Sequence, residues 1–172
     1  MAINVKKSCC LRIGPCYDTV CVNLLSLTRS VLQWVDTIRY LGVHFVGAKY
    51  FKCSLDYAKC AFHHAANYIF CKIGRIASEE TVIQLIKGKC LPILLYGIET
   101  YPLKKTDLRS LYFVIDRFFM KLFKTNNIAT GTPVRQSFEF ELPSVTAGKR
   151  ATKFQAMFRT NNRNLDLLRL RY

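Results

Sequence analysis

The sequence predicts an α+β chain, a small antiparallel β segment followed by a mainly α-helical bundle. Within residues 1–48, short apolar clusters are separated by turn residues, the pattern of strands. From residue 50 the apolar spacing changes to three and four, the pattern of amphipathic helices. The chain is 51% hydrophobic and 13% aromatic, which is enough for a packed core.

Leu11 and Ile13 before Gly14-Pro15 read as a short strand and its stop. Val20, Cys21 and Val22 read as a second strand. Residues 31–35 and 40–46 read as two more, the last marked by Leu41-Gly42-Val43. Four such strands with their turns are too few to make a full domain alone. Over residues 50–75 a helical stripe runs through Phe51, Leu55, Ala58, Phe62, Ala65, Ala66, Ile69 and Ile73, and Gly74 is its stop. Ser78 reads as an N-cap, with Glu79 and Glu80 where the helix dipole favours acids. Val82, Leu85, Ile86 and Ile93 form the next stripe, which Pro92 should kink or end. Thr106-Asp107 opens a third helix with the stripe Leu108, Leu111, Ile115, Phe118, Phe119 and Leu122. Residues 125–138, with Asn, Thr, Gly and Pro, read as a loop. Pro143-Ser144 opens a last helix toward Phe158, and the tail after Thr160 is polar and basic. The expected divisions are 1–48 for the strands, 49–125 for the helical region, and 126–172 for the loop, last helix and tail.

Lys and Arg total 26 against 11 Asp and Glu, a net charge of +15. Such an excess points to a polyanionic partner, nucleic acid before an anionic membrane surface. No run reaches about 18 apolar residues without a charge, so no membrane span is expected. The start has no apolar stretch after Lys6-Lys7 and reads as no signal peptide. The eight cysteines read as reduced thiols of an intracellular protein, since a chain of this length needs no disulfide scaffold.

Two-metal nucleotidyl transfer needs converging carboxylates, and the sequence has no Asp-Asp pair. It has neither a phosphate loop ending in Gly-Lys-Ser or Gly-Lys-Thr nor a serine nucleophile elbow. No metal site is expected. Cys60, His63, His64 and Cys71 are conceivable zinc ligands, but no C-x-x-C pair is present and a straight helix cannot wrap four ligands around one ion; Cys53, Cys60, His64 and Cys71 fall on one face of the first helix. A second packed face is the simpler use of that row. The basic residues carry more. Arg117, Lys121 and Lys124 fall at i, i+4 and i+7 on the third helix, away from its apolar stripe, and Lys52 and Lys59 fall likewise on the first. Such rows follow a phosphate backbone, or form a solvated face.

Two stretches carry a family resemblance. Ile3-Asn4-Val5-Lys6-Lys7-Ser8, followed by Leu11, resembles the N-x-x-K-[ST] motif that lies after the catalytic aspartate box in non-LTR (LINE-type) retrotransposon reverse transcriptases. Leu32-Gln33-Trp34-Val35 with Arg39-Tyr40-Leu41-Gly42-Val43 resembles the hairpin that closes the palm of these enzymes. The helical region with Leu95-Tyr96-Gly97-Ile98-Glu99 is similar to the segment after that hairpin in these elements. The resemblance spans nearly the whole chain and implies the end of a palm followed by a thumb. It places Lys7 at the lysine proposed to protonate the leaving pyrophosphate, and Tyr40, Leu41 and Gly42 at the primer grip. The thumb helices would rest on an RNA–DNA or DNA template–primer duplex, whose regular phosphates need no sequence readout. Fingers, the Tyr-x-Asp-Asp-like box and the upstream aspartate have no counterpart here. The expectation is therefore a fragment of an RNA-directed DNA polymerase that binds template–primer and catalyses nothing alone. Mg²⁺ would be needed only by the intact parent enzyme, with its palm and fingers. The alternative is a domesticated, stand-alone basic helical module that binds nucleic acid or protein.

Overall fold

The computed structural model describes residues 4–27, 29–74, 76–125 and 141–161. The architecture is α+β, with two three-stranded sheets and a set of helices. The chain divides into two compact units, Met1–Tyr57 and Ala58–Tyr172.

The first unit contains β1 (Cys9–Cys10), β2 (Leu24–Leu25), β3 (Val31–Trp34), β4 (Thr37–Tyr40), β5 (Val43–Val46) and β6 (Lys52–Ser54). The order β1-β3-β2 makes a mixed sheet, because β1 runs parallel to β3. The order β4-β5-β6 makes an antiparallel one. The strand expected at Leu11 and Ile13 is displaced to β1, and Ile13 makes only an isolated parallel bridge to Ala48. The strand expected at residues 20–22 does not form. The Trp34 indole N–H donates to the Val22 carbonyl at 3.2 Å, a bond made outside any ladder. Val20 is 100% and Val22 88% exposed, and pairing with β3 begins only at Leu24.

The expected boundary at residue 48 also moves. Residues 52–54 pair with β5 and complete its second edge, so the first unit runs on to Tyr57. Alternation supports the strand: Cys53 and Leu55 are buried while Lys52 points outward. The helix begins where the Asp56 N–H donates to the Ser54 hydroxyl at 3.2 Å. Phe51, Lys52, Cys53 and Leu55 therefore lie before the first helix and not on it.

The helices are α1 (Asp56–Ile73), α2 (Glu79–Leu85), α3 (Leu91–Leu94), α4 (Lys105–Leu122) and α5 (Pro143–Asn161). Phe62 and Ala66 of the expected α1 stripe are buried. Gly74 follows the helix, where a side chain would meet the Phe70 carbonyl oxygen at 2.7 Å, so the position suits glycine. The Ser78 hydroxyl accepts the Thr81 N–H at 3.3 Å, as an N-cap should. Between α2 and α3 the chain makes a π-helical turn, Ile86–Cys90, just before Pro92. This wider turn shifts the buried face. Val82, Ile86, Cys90, Leu94 and Ile98 are buried at intervals of four, while Ile93, expected inside, is 39% exposed. The segment Glu79–Thr100 has the length and mean hydropathy, 1.3, of a membrane-crossing helix, a test that core helices also pass.

In α4 the Asp107 carboxylate accepts the Lys104 N–H at 3.0 Å and caps the first turn. Leu111, Val114, Ile115, Phe118 and Phe119 form its buried face. The second unit includes α5. Within that unit Arg150 donates to the Leu95 carbonyl at 2.8 Å, and the Tyr112 hydroxyl donates to Ser144 at 2.6 Å. Of the expected loop at residues 125–138, residues 126–138 lie outside the described residues, as does the tail beyond residue 161.

Candidate nucleic-acid interface

A groove of about 570 Å³ runs between α1 and α4. From α1 it receives His63 and Asn67, spaced i, i+4 beside the buried Phe62 and Ala66. From α4 it receives Arg117 and Lys121, also spaced i, i+4 and flanking the buried Phe118. Residues four apart on a helix stand one above the other, so the two pairs meet across the groove. Phe62, Phe70 and Phe118 pack as its floor, with ring centroids 6.5 Å apart for Phe62–Phe118 and 5.6 Å apart for Phe70–Phe118.

The Lys121 ammonium donates to the Asn67 side-chain oxygen at 2.6 Å and sits 5.0 Å from the Phe70 ring centroid. One contact holds its position, and the ring face attracts its charge. The Arg117 guanidinium lies 5.8 Å from the Phe113 ring on its own helix. No carboxylate is among the described residues that line the groove. Burial, and then the charges of Arg117, His64 and Lys121, hold His63 below its ordinary value of 6.5. Such a lining repels cations and attracts an anion. Its donors suit phosphate oxygens, and its aromatic floor keeps the local dielectric low.

The second site feature is the tip of the β4–β5 hairpin. Tyr40 pairs with Val43, which leaves Leu41-Gly42 as a two-residue turn. Both have positive φ, 46° and 83°, the geometry of a type I′ turn. Glycine adopts this freely, but leucine does so at a cost of about 1–2 kcal/mol. Leu41 is also 74% exposed, and its neighbour Tyr40 is 62% exposed. A strained, solvent-facing leucine where Asn is the ordinary choice gives the hairpin an apolar tip.

The other expected residues are scattered. Lys7 closes a short 3-10 turn, Val5–Lys7, and is exposed. Lys52 is exposed on β6, so it does not extend a helical row with Lys59. Lys59 is on α1, one turn before His63, but does not line the groove. Lys124 is not the third member of a row on α4, which ends at Leu122. Its φ is +51°, and the following Thr125 N–H donates to the Met120 carbonyl at 3.0 Å. That bond closes the helix end in a Schellman arrangement, with lysine at the position usually given to glycine.

The cysteine row is also broken up. Cys53 is buried on β6, whereas Cys60, His64 and Cys71 are exposed on α1 and so form no second packed face. Among the described residues, no three His, Cys, Asp or Glu side chains are grouped to hold a metal ion. Sequence reasoning weighed His63 only as a metal ligand and missed Asn67. Their signal was present as a polar i, i+4 pair beside the apolar stripe, but only the facing α4 gives it a partner. In comparisons with known proteins, no family model, no curated protein and no solved structure matches this chain.

Proposed function

We propose that this chain is the palm-end and thumb portion of a reverse transcriptase of the non-LTR retrotransposon type, holding the template–primer duplex by its backbone. The observation that carries the reading is the α1–α4 groove, where Arg117 and Lys121 converge with no carboxylate among the described lining residues. The net charge of +15 and the apolar tip at Tyr40, Leu41 and Gly42 support it. Catalysis is assigned to no residue of this chain.

A second reading is a stand-alone basic helical module. It is favoured by the core of the second unit, which holds nearly all the fully buried apolar side chains.

The test is binding of a fluorescent RNA–DNA hybrid across a salt series. Affinity should fall steeply with salt, because each neutralised phosphate releases counterions, and should vary little with sequence. Replacing both Arg117 and Lys121 by Glu should weaken binding to every duplex and flatten the salt dependence by roughly 2 in log–log slope. Unchanged affinity in that variant would remove the groove from the reading. A second unit that binds the hybrid as tightly as the full chain would favour the module.

A further inference from the structure

We propose that the α1–α4 groove is a seat for a single phosphate group, and that His63 takes up a proton as the anion enters. The inference rests on the groove being the backbone-contacting surface described above. His63 lies in the same groove wall as Asn67, across from Arg117 and Lys121. Among the described residues, the charged and titratable groups that act on it are Arg117 and Lys121 from α4 and His64 from its own helix, where Lys59 also lies one turn before it. All of these are cationic or able to become so, and no carboxylate is among the described residues that line the groove.

In the free protein a third positive charge is disfavoured there. Partial burial and two permanent cations hold the imidazole in its neutral form near pH 7. An entering phosphate reverses the balance. Its negative charge cancels the repulsion, and its oxygens accept the N–H of a protonated imidazole. The proton comes from solvent, one per anion bound, and leaves when the anion leaves. Linkage then requires the groove to bind anions more tightly as pH falls. The gain is about tenfold for each unit by which the anion raises the imidazole's pKa. Arg117 and Lys121 supply affinity at all pH values, and His63 makes it adjustable near neutrality.

The test follows the His63 imidazole by NMR through a pH titration in chloride and again in saturating sulfate, which keeps its charge over this range. The chain has three histidines, so loss of one signal in His63→Gln assigns the resonance. The expected result is a midpoint below the ordinary histidine value in chloride and a clear rise in sulfate. In parallel, hybrid binding should strengthen from about pH 7.5 to about pH 5.5 in the parent chain. The His63→Gln variant should lose that strengthening.

An equal midpoint in chloride and sulfate overturns the proposal, as does an unchanged pH response of hybrid binding in His63→Gln. A sulfate-dependent midpoint in a chain that binds no hybrid upholds the seat and sinks the duplex-holding reading, so the two failures are distinguishable.

Discussion

Lys124 and Leu41 both hold backbone conformations that favour glycine or asparagine, with φ of +51° and +46°. At Lys124 the left-handed turn lets Thr125 reach back to Met120 and satisfy a carbonyl at the end of α4. Glycine does the same without the steric cost of a Cβ. Lys124→Gly is therefore expected to raise stability by about 1 kcal/mol, read as a higher urea midpoint with an unchanged slope. Hybrid affinity should change little, because Lys124 does not line the groove. Leu41 tests the opposite case. Asn-Gly is the preferred type I′ pair, so Leu41→Asn should also stabilise, by roughly 0.5–1 kcal/mol. If the apolar tip contacts nucleic acid, that variant gains stability and loses affinity. A gain in stability with full affinity would make the tip a plain turn.

The cysteines show what each element does with one residue type. Cys53 alternates inward on β6, and Cys90 lies in the π-helical turn of the core, both buried. Cys60 and Cys71 are on the open side of α1. Burial pushes the Cys53 thiol from 9.0 up to about 11 and raises Cys90 in the same direction. Since the thiolate is the reactive form, alkylation near pH 8 should label Cys60 and Cys71 first, and Cys53 and Cys90 only on unfolding. Equal rates at all four would contradict the assigned strand and core positions. Linkage gives the sign for stability. The unfolded thiol ionises at lower pH than the folded one, so the Cys53 contribution is intact below about pH 9 and is lost as pH rises toward about 11. A Cys53→Ala variant, compared with the parent over that window, should lack this part of the alkaline decline.

The two units differ most in their cores. Among the described residues from 4 to 52 none is buried, and the first unit's buried apolar side chains are Cys53 and Leu55. Val20, Val22, Leu24, Leu25 and Leu27 are all exposed. The second unit buries Phe62, Ile83, Ile86, Leu94, Leu111, Ile115 and Phe119 almost completely. Burying an aliphatic or aromatic side chain contributes about 1.5–3 kcal/mol, so the helices hold most of the folding free energy. Amide exchange should be fast through β1 to β6 and slow in α2, α3 and α4. Uniform protection across both units would sink this assignment of stability.

Features set by neighbours along the chain were legible in the sequence. Ser78 and Asp107 cap helices and Gly74 follows one, because each needs only atoms a few residues away, whereas Leu41-Gly42, read from its residues as part of a strand over 40–46, is the turn between β4 and β5. The stripe of α4 was legible for the same reason: its period is a property of one helix. Structure that depended on pairing across space was not legible. Residues 50–55 fit a helical stripe as well as an alternating strand, and only the open edge of β5 made them β6. The π-helical turn moved Ile93 outward because one extra residue in a turn shifts every position after it. The groove shows the same division. Arg117 and Lys121 could be placed on one face from their spacing, but Lys124 left that face when the helix closed before it. His63 and Asn67 joined them only because α4 packs beside α1, and a side chain's electrostatic surroundings are set by the groups that face it across a gap rather than by those that precede it in the chain.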